Sequence, residues 1–151
     1  MSERIHIALL ADCLENFAGG AEKQIYELAK GLNKNKYRVS VISLDCQGQA
    51  SREAIEAIGC DFAVFKVKRI YSLSGFMQGL RFFEYLKKNR IDILQTYHFS
   101  SDIWGTFWAH LAGVKVILSN RRDMGFWRKS IHVVAYGMII AWVTKIVAVA
   151  N

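Results

Sequence analysis

Proline is absent from the 151 residues, although average usage of about 5% predicts several. The sequence therefore contains no proline-rich linker, and it shows no internal repeat or low-complexity tract. With 52% hydrophobic residues, the chain is long enough to build one domain with a substantial core. We expect one domain spanning residues 1–151.

Long apolar runs and cysteines are also scarce. The longest near-apolar run, residues 131–143, is shorter than the roughly 20 residues that a membrane-spanning helix needs. The N-terminus enters a strand pattern directly, so we expect no signal peptide. The three cysteines, Cys13, Cys46 and Cys60, have no metal-binding or redox spacing. They fit reduced thiols, and we expect a cytoplasmic protein.

Acidic residues are fewer than basic residues, and the formal net charge is +7. The lysines and arginines are spread over many segments rather than concentrated in one helix. This distribution favours anionic ligands or an anionic membrane surface, and no nucleic-acid partner is expected.

Apolar and amphipathic segments alternate regularly. Continuous apolar runs of this kind are typical of a parallel sheet covered by helices on both faces. We predict a three-layer α/β/α, Rossmann-like domain with a mainly parallel sheet of about six strands, most simply in Rossmann order. The predicted strands are 5–11, 37–44, 62–67, 91–97, 115–119 and 145–150, and the predicted helix caps include Ser51, Ser74 and either Ser100 or Ser101.

The predicted helix 75–89 has an inward apolar stripe and aromatic residues outside it. Met77 and Tyr85 lie off the stripe, on the same side as Arg81 and Lys88. An alternative to burial is that these residues rest on an anionic membrane surface. The predicted inward residues are Phe76, Gly79, Leu80, Phe83 and Leu86.

A glycine pair, Gly19 and Gly20, stands between the first strand and the first helix. A buried strand, a glycine turn and a helix N-terminus together form a typical anion-binding site. The third glycine of a dinucleotide fingerprint is missing, the P-loop motif is absent, and Glu22 would repel a closely docked pyrophosphate. Asp45, at the end of the second strand, keeps a dinucleotide site open as an alternative.

Further candidates follow strands four and five, at the sheet edge where open α/β proteins bind ligands. His98 ends strand four, and it is the candidate catalytic residue. Arg121 and Arg122 follow strand five, where their guanidinium groups suit a phosphate or carboxylate. We find no Ser-His-Asp order and no metal-ligand spacing, so no metal is expected.

Several segments together resemble family 4 retaining glycosyltransferases. The opening IHIALLAD, the loop and helix GGAEKQIYELAKGL and the strand YRVSVISL resemble the start of these enzymes. IDILQTYHFSSDIWG resembles their segment around strand four, VILSNRRDMGFW resembles the loop after strand five, and KIVAVAN resembles the last strand before the interdomain crossing. The segments occur in the family's order along the whole chain.

The resemblance implies one half of a GT-B fold, namely the N-terminal, acceptor-side domain. The C-terminal nucleotide-sugar domain, with its E-x7-E motif, would be missing from this chain. The implied reaction is transfer of a hexose from a nucleotide-sugar donor to a glycan or lipid-linked acceptor, with retention and without a metal or other cofactor. By this resemblance, Gly19 and Gly20 would let the loop approach the donor phosphates and the acceptor, and His98 would lie near the transferred sugar. Arg121 and Arg122 match the family's loop after strand five by position only.

Two other functions remain open at this point. One is a stand-alone Rossmann-like module that binds a nucleotide or dinucleotide, motivated by Asp45 and the glycine turn. The other is a non-catalytic interaction domain that uses the basic, aromatic surface. For the transferase, we expect peripheral contact with the anionic cytoplasmic membrane face and little or no activity from these 151 residues alone.

Overall fold

The computed structural model describes residues 4–45, 48–121 and 130–148. These residues form one six-stranded sheet with the strand order β3-β2-β1-β4-β5-β6, and every neighbouring pair is parallel. The predicted fold class and strand order are confirmed. The strands are β1 (Ile5–Ala11), β2 (Tyr37–Ser43), β3 (Asp61–Val64), β4 (Ile93–Thr96), β5 (Val116–Arg121) and β6 (Lys145–Ala148).

Helices cover both faces of the sheet. On one face, β1 and β2 pack against the first two helices, with Ile25 and Ile55 fully buried. On the other face, the third and fourth helices bury Phe82, Trp104 and Trp108 against the sheet. The helices are α1 (Gly20–Gly31), α2 (Gln49–Ala57), α3 (Leu73–Lys88), α4 (Phe99–Ala112) and α5 (Ser130–Ile139), and a 3-10 turn (Ile140–Trp142) follows α5.

The helix starts differ from the predicted caps. Ser72 caps α3, because its hydroxyl accepts the Gly75 N–H at 3.0 Å, whereas Ser74 lies inside the helix. His98 is the N-cap residue of α4, one turn ahead of Ser101. Ser51 is buried inside α2, which begins after Gly48. A serine near a predicted helix start is therefore a weak guide to which residue caps it, because several positions offer a hydroxyl.

The predicted inward stripe of α3 is confirmed at Gly79 and Leu86 and wrong at Phe76 and Leu80. The residues buried along α3 are Gly75, Gly79, Phe82 and Leu86, whereas Phe76 and Leu80 are exposed. Tyr85 is half-buried, with its ring 5.6 Å from that of Phe65, so it does not lie on the outer face. The outer face of the first two turns instead carries an apolar stripe, which we call the α3 stripe: Leu73, Phe76, Met77 and Leu80.

The expectation of three reduced thiols is also wrong. Cys13 is disulfide-bonded, whereas Cys60 is a free, buried thiol. Cys46 lies outside the described residues. In residues 4–45, 48–121 and 130–148, no helix combines the length and the apolar character that crossing a membrane requires.

Candidate functional site

The carboxyl edge of the sheet brings the loop after β1 against the start of α4. The switch in strand order lies between β1 and β4, so these two strands diverge into helices on opposite faces and leave a crevice above them. The carboxylate of Asp12, one residue after β1, accepts the N–H groups of Ser100 and Ser101 at 3.3 and 2.6 Å. Asp12 therefore closes the crevice on the α4 side.

Asp12 fills the anion-binding position at the N-terminus of α4. The first-turn N–H groups of a helix carry partial positive charge, and a carboxylate is the natural partner for them. Because Asp12 already occupies these donors, α4 has little capacity left for a ligand phosphate. Sequence reasoning missed this residue, because the two partners are 88 and 89 positions apart.

His98 lies beside Asp12 at the same edge. The backbone N–H of Asp12 donates to Nδ1 of His98 at 3.3 Å, and the N–H of His98 donates to the hydroxyl of Ser101 at 3.0 Å. An Nδ1 that accepts a hydrogen bond carries no proton, so the neutral ring has its proton on Nε2. The half-buried ring is thus held by one nitrogen and has one N–H left to donate.

Gly19 and Gly20 stand at the start of α1, across the crevice. Gly19 is the N-cap residue with φ of −73°, so neither a left-handed turn nor a steric clash requires glycine there. A side chain at position 19 would meet only the flexible Glu22. The backbone and the described neighbours therefore do not require glycine at position 19.

Glu22 occupies part of the α1 N-terminus. Its carboxylate accepts the N–H of Gly19 at 3.4 Å, which is a long and exposed contact. That Glu22 opposes a tightly docked pyrophosphate stays a prediction. A ligand anion at α1 would have to displace the Glu22 side chain or bind beside it.

The buried side chain of Asn120 links β5 to α1. Asn120 is buried, its Nδ2 donates to Oε1 of Gln24 in α1 at 3.4 Å, and its Oδ1 has no hydrogen-bond partner among the described residues. β5 extends through Arg121, so Asn120 belongs to the strand rather than to the predicted loop. Arg121 ends the strand at the crevice edge, and Arg122 lies outside the described residues.

A buried carboxylate beneath the crevice joins three elements. Asp102, in the first turn of α4, accepts hydroxyl hydrogen bonds from Thr96 of β4 at 2.8 Å and Ser119 of β5 at 2.7 Å. All three side chains are buried, so these bonds fix α4 against both strands. Asp102 is thus a structural support for the crevice, which the sequence reasoning did not identify.

The loop after β2 also packs against the β1 loop. At Gly48, an added Cβ would lie 2.4 Å from the carbonyl oxygen of Glu15, so this position accepts only glycine without a backbone shift. Asp45 is exposed, and its N–H donates to the Asp12 carbonyl at 3.0 Å. Within the described ranges, no three His, Cys, Asp or Glu side chains converge on a metal position.

Comparison with known proteins identifies the family to which the chain belongs. A family model described as Glycosyltransferase Family 4 matches residues 18–151, which include the glycine pair, His98 and both arginines. The chain belongs to glycosyltransferase family 4. No curated protein sequence matches the chain significantly.

Solved structures similar to this family 4 chain share its fold at low sequence identity. MurG from Acinetobacter baumannii superposes with a TM-score of 0.66 at 12% identity, covering 97% of this chain and 42% of MurG. A putative UDP-N-acetylglucosamine 2-epimerase from Listeria monocytogenes gives 0.65 at 8% identity, covering 96% of this chain and 39% of that one.

The lipopolysaccharide outer core galactosyltransferase WaaB gives a TM-score of 0.56 at 14% identity, covering 76% of this chain and 32% of WaaB. At such identities the likeness establishes the fold alone. The family 4 chain spans less than half the length of each of these three structures.

Replacing Asp12 by alanine is expected to destabilise the domain by about 1 kcal/mol, because two N–H groups of α4 lose their acceptor. Urea unfolding measures the change. Asp12→Asn is the matched control: it keeps one acceptor oxygen, for Ser101, and loses the charge and the acceptor for Ser100, so it should cost less than alanine. Equal stability of the wild type and Asp12→Ala would contradict the assigned role.

Proposed function

We propose that the full-length protein transfers a hexose from a nucleotide-sugar donor to a glycan or lipid-linked acceptor with retention of anomeric configuration. The observation that carries this proposal is the family 4 match, which spans residues 18–151. The fold supports it, because the glycine pair and His98 follow β1 and β4, the two strands at the switch in strand order. In this proposal, residues 1–151 form the acceptor-side domain, and a C-terminal domain binds the nucleotide.

The carboxylates at the crevice support the proposal that a second domain makes most of the contacts with the donor diphosphate. Both helix N-termini that face the crevice already carry a carboxylate, from Asp12 on α4 and from Glu22 on α1. A nucleoside diphosphate would therefore receive few of its contacts from this domain. We assign the main diphosphate contacts to the second domain, with Gly19 and Gly20 allowing the donor to approach closely.

His98 is the proposed catalytic residue. Its Nε2–H is a fixed donor in the crevice, because the hydrogen bond to Asp12 holds the other ring nitrogen. A preorganised donor of this kind stabilises the negative charge that develops on the leaving diphosphate while the transferred sugar becomes oxocarbenium-like. Arg121, the last residue of β5, and Arg122 are proposed to add positive charge to the site. We propose that no metal takes part.

The alternative is a dinucleotide-binding module centred on Asp45. Calorimetry of the full-length protein with UDP-sugars, UDP and NAD separates the two functions. We expect saturable binding of a nucleotide-sugar, and NMR of the product should show the donor's anomeric configuration. Tight NAD binding that Asp45→Ala abolishes would contradict the transferase proposal. Robust transfer by residues 1–151 alone would contradict the two-domain assignment.

We further propose that the protein works at the cytoplasmic membrane face and contacts anionic lipid through the α3 stripe. Leu73 is 79% exposed and Met77 is 55% exposed, and Arg81 lies beside them on the helix surface. Apolar side chains with nearby cations suit an interfacial helix. The disulfide at Cys13 is the one observation that does not favour a reducing compartment.

Co-sedimentation with vesicles tests the membrane contact. The wild type is expected to bind phosphatidylglycerol vesicles more strongly than phosphatidylcholine vesicles, and a Leu73→Ser, Met77→Ser double variant should lose this binding. Ile146→Ser, which changes an exposed apolar residue on the edge strand β6, is the control. Unchanged binding by the double variant would exclude the α3 stripe as the contact surface.

A further inference from the structure

A second hollow opens at the amino edge of the sheet, opposite the carboxyl-edge crevice. Its volume is about 820 Å³, and it lies between the start of β1 and the C-terminal ends of α3 and α4. Among the described residues that line it, Asp92 is the one carboxylate. Six cationic side chains line it: Arg4, Arg38, Lys87, Lys88, Arg90 and Lys115.

The carboxylates around this cationic cavity neutralise only part of its charge. Arg38 forms an ion pair with Asp61 at 2.8 Å, and Lys115 pairs with Asp92 at 3.1 Å. The ends of α3 and α4 add about half a negative charge each. Arg90 also has a contact within the protein. Among the described residues the six cations still exceed the two carboxylates and the helix ends, so this part of the chain gives the cavity a positive potential.

The α3 dipole explains only some of these cations. Lysines in the last turn of a helix are stabilised by its terminal carbonyl groups, and Lys87 and Lys88 occupy that turn. Of the four remaining cations, Arg90 follows the end of α3. Arg4, Arg38 and Lys115 come from segments at three different β-strands, so a helix-capping role does not account for them.

The floor of the cavity is buried and neutral. The ring of His6 bonds through Nδ1 to the carbonyl of Asn89 at 2.8 Å and through Nε2 to the hydroxyl of Ser40 at 2.7 Å. Burial lowers the pKa of His6 below its ordinary value, and nearby Arg38 also lowers it, against the Asn89 hydrogen bond, which raises it. The floor therefore adds no charge of its own near neutral pH, and its hydrogen bonds hold it rigid.

Arg90 adopts a backbone conformation that disfavours its own side chain. It follows the C-cap residue of α3 with φ of +49°, where the Ile91 N–H bonds back to the Leu86 carbonyl at 3.1 Å. Glycine is the usual residue at this position of a helix end, and any L-residue there costs free energy. Arg90 therefore combines a strained backbone with a place in the lining of the cationic cavity.

We propose that this cavity binds a phosphorylated ligand, with Arg90, Arg38 and Lys88 contacting the phosphate oxygens. Guanidinium forks match the geometry of phosphate, and the cavity volume lies in the range of small-ligand sites. The phosphate belongs either to a free small molecule or to a lipid head group. The site lies at the opposite sheet edge from the proposed sugar transfer and does not depend on it.

Calorimetry of the full-length protein with inorganic pyrophosphate, at constant ionic strength, tests the site for a free ligand. We expect saturable binding that weakens at least tenfold in Arg90→Gly and in Lys88→Gln. Arg90→Gly removes the backbone strain, so its melting temperature should rise or stay equal while its affinity falls. Arg81→Gln is the matched control, because it removes one charge from α3 outside the cavity and should bind as the wild type does.

Vesicles of phosphatidic acid in phosphatidylcholine test the second source of phosphate. Binding of these vesicles that Arg90→Gly abolishes, without pyrophosphate binding, would assign the site to a lipid head group. The Arg90→Gly comparison also separates this site from the crevice, because pyrophosphate bound as a donor mimic near His98 would be unaffected. The proposal is overturned if neither probe binds, or if Arg90→Gly and Lys88→Gln bind both probes with wild-type affinity.

Discussion

Replacing His98 by asparagine is expected to lower kcat of the full-length enzyme about 100-fold, because the crevice loses its preorganised Nε2–H donor. The KM for the donor should change less, since the second domain is proposed to bind the nucleotide. Steady-state kinetics with the cognate donor and acceptor measure both constants.

Asparagine is the appropriate replacement for His98, because it is a favourable N-cap residue and should preserve the start of α4. Equal melting temperatures of the wild type and the variant would show that the loss of activity is not a loss of structure. A His98→Asn enzyme with wild-type kcat would remove His98 from the mechanism. The family assignment would stand in that case, since it rests on the match over residues 18–151.

Replacing Gly79 by alanine is expected to destabilise the domain by about 2–3 kcal/mol. An added Cβ would lie 2.0 to 2.2 Å from three ring atoms of Trp108, which is itself buried between α3 and α4. The clash outweighs the roughly 1 kcal/mol by which alanine improves helix propensity over glycine. Thermal unfolding should show a fall in melting temperature of roughly 5–10 °C.

Gly31→Ala is the matched control for Gly79→Ala. Gly31 is the last residue of α1, and an added Cβ there meets no atom within 4 Å. The same substitution at that position should leave stability equal or raise it by about 0.5–1 kcal/mol. A Gly79→Ala protein as stable as the Gly31→Ala protein would contradict the close packing of α3 on α4.

The strand order was predictable from the sequence, whereas the inward face of α3 was not. Each strand is a short apolar run bounded by polar turns, and parallel strands buried on both faces produce that local pattern. α3 carries large apolar residues on almost every side, including Leu73, Phe76, Met77, Leu80 and Phe82. Periodicity cannot choose a buried face in such a helix, so the fit of Gly79 against Trp108 decides it.

The candidate site was predictable only in outline. The glycine pair and His98 stand next to strand ends, and the general rule for open α/β sheets places ligands there. Asp12 and Asp102 carry no local signal, because their partners come from distant segments. The roles of Gly19, Gly20, His98, Arg121 and Arg122 stay predictions until the experiments above are done.

The sequence by itself determined the α/β alternation, the parallel sheet and the family, because these depend on local apolar patterns and on the order of segments. Only the tertiary structure decided which carboxylates occupy the helix N-termini, which face of α3 is exposed and where the basic residues gather. Those features depend on contacts between residues far apart in the chain. Asp12 reaches the start of α4 only because the sheet brings β1 and α4 to a common edge. Arg90 and Arg38 line the same cavity for the same reason at the opposite edge.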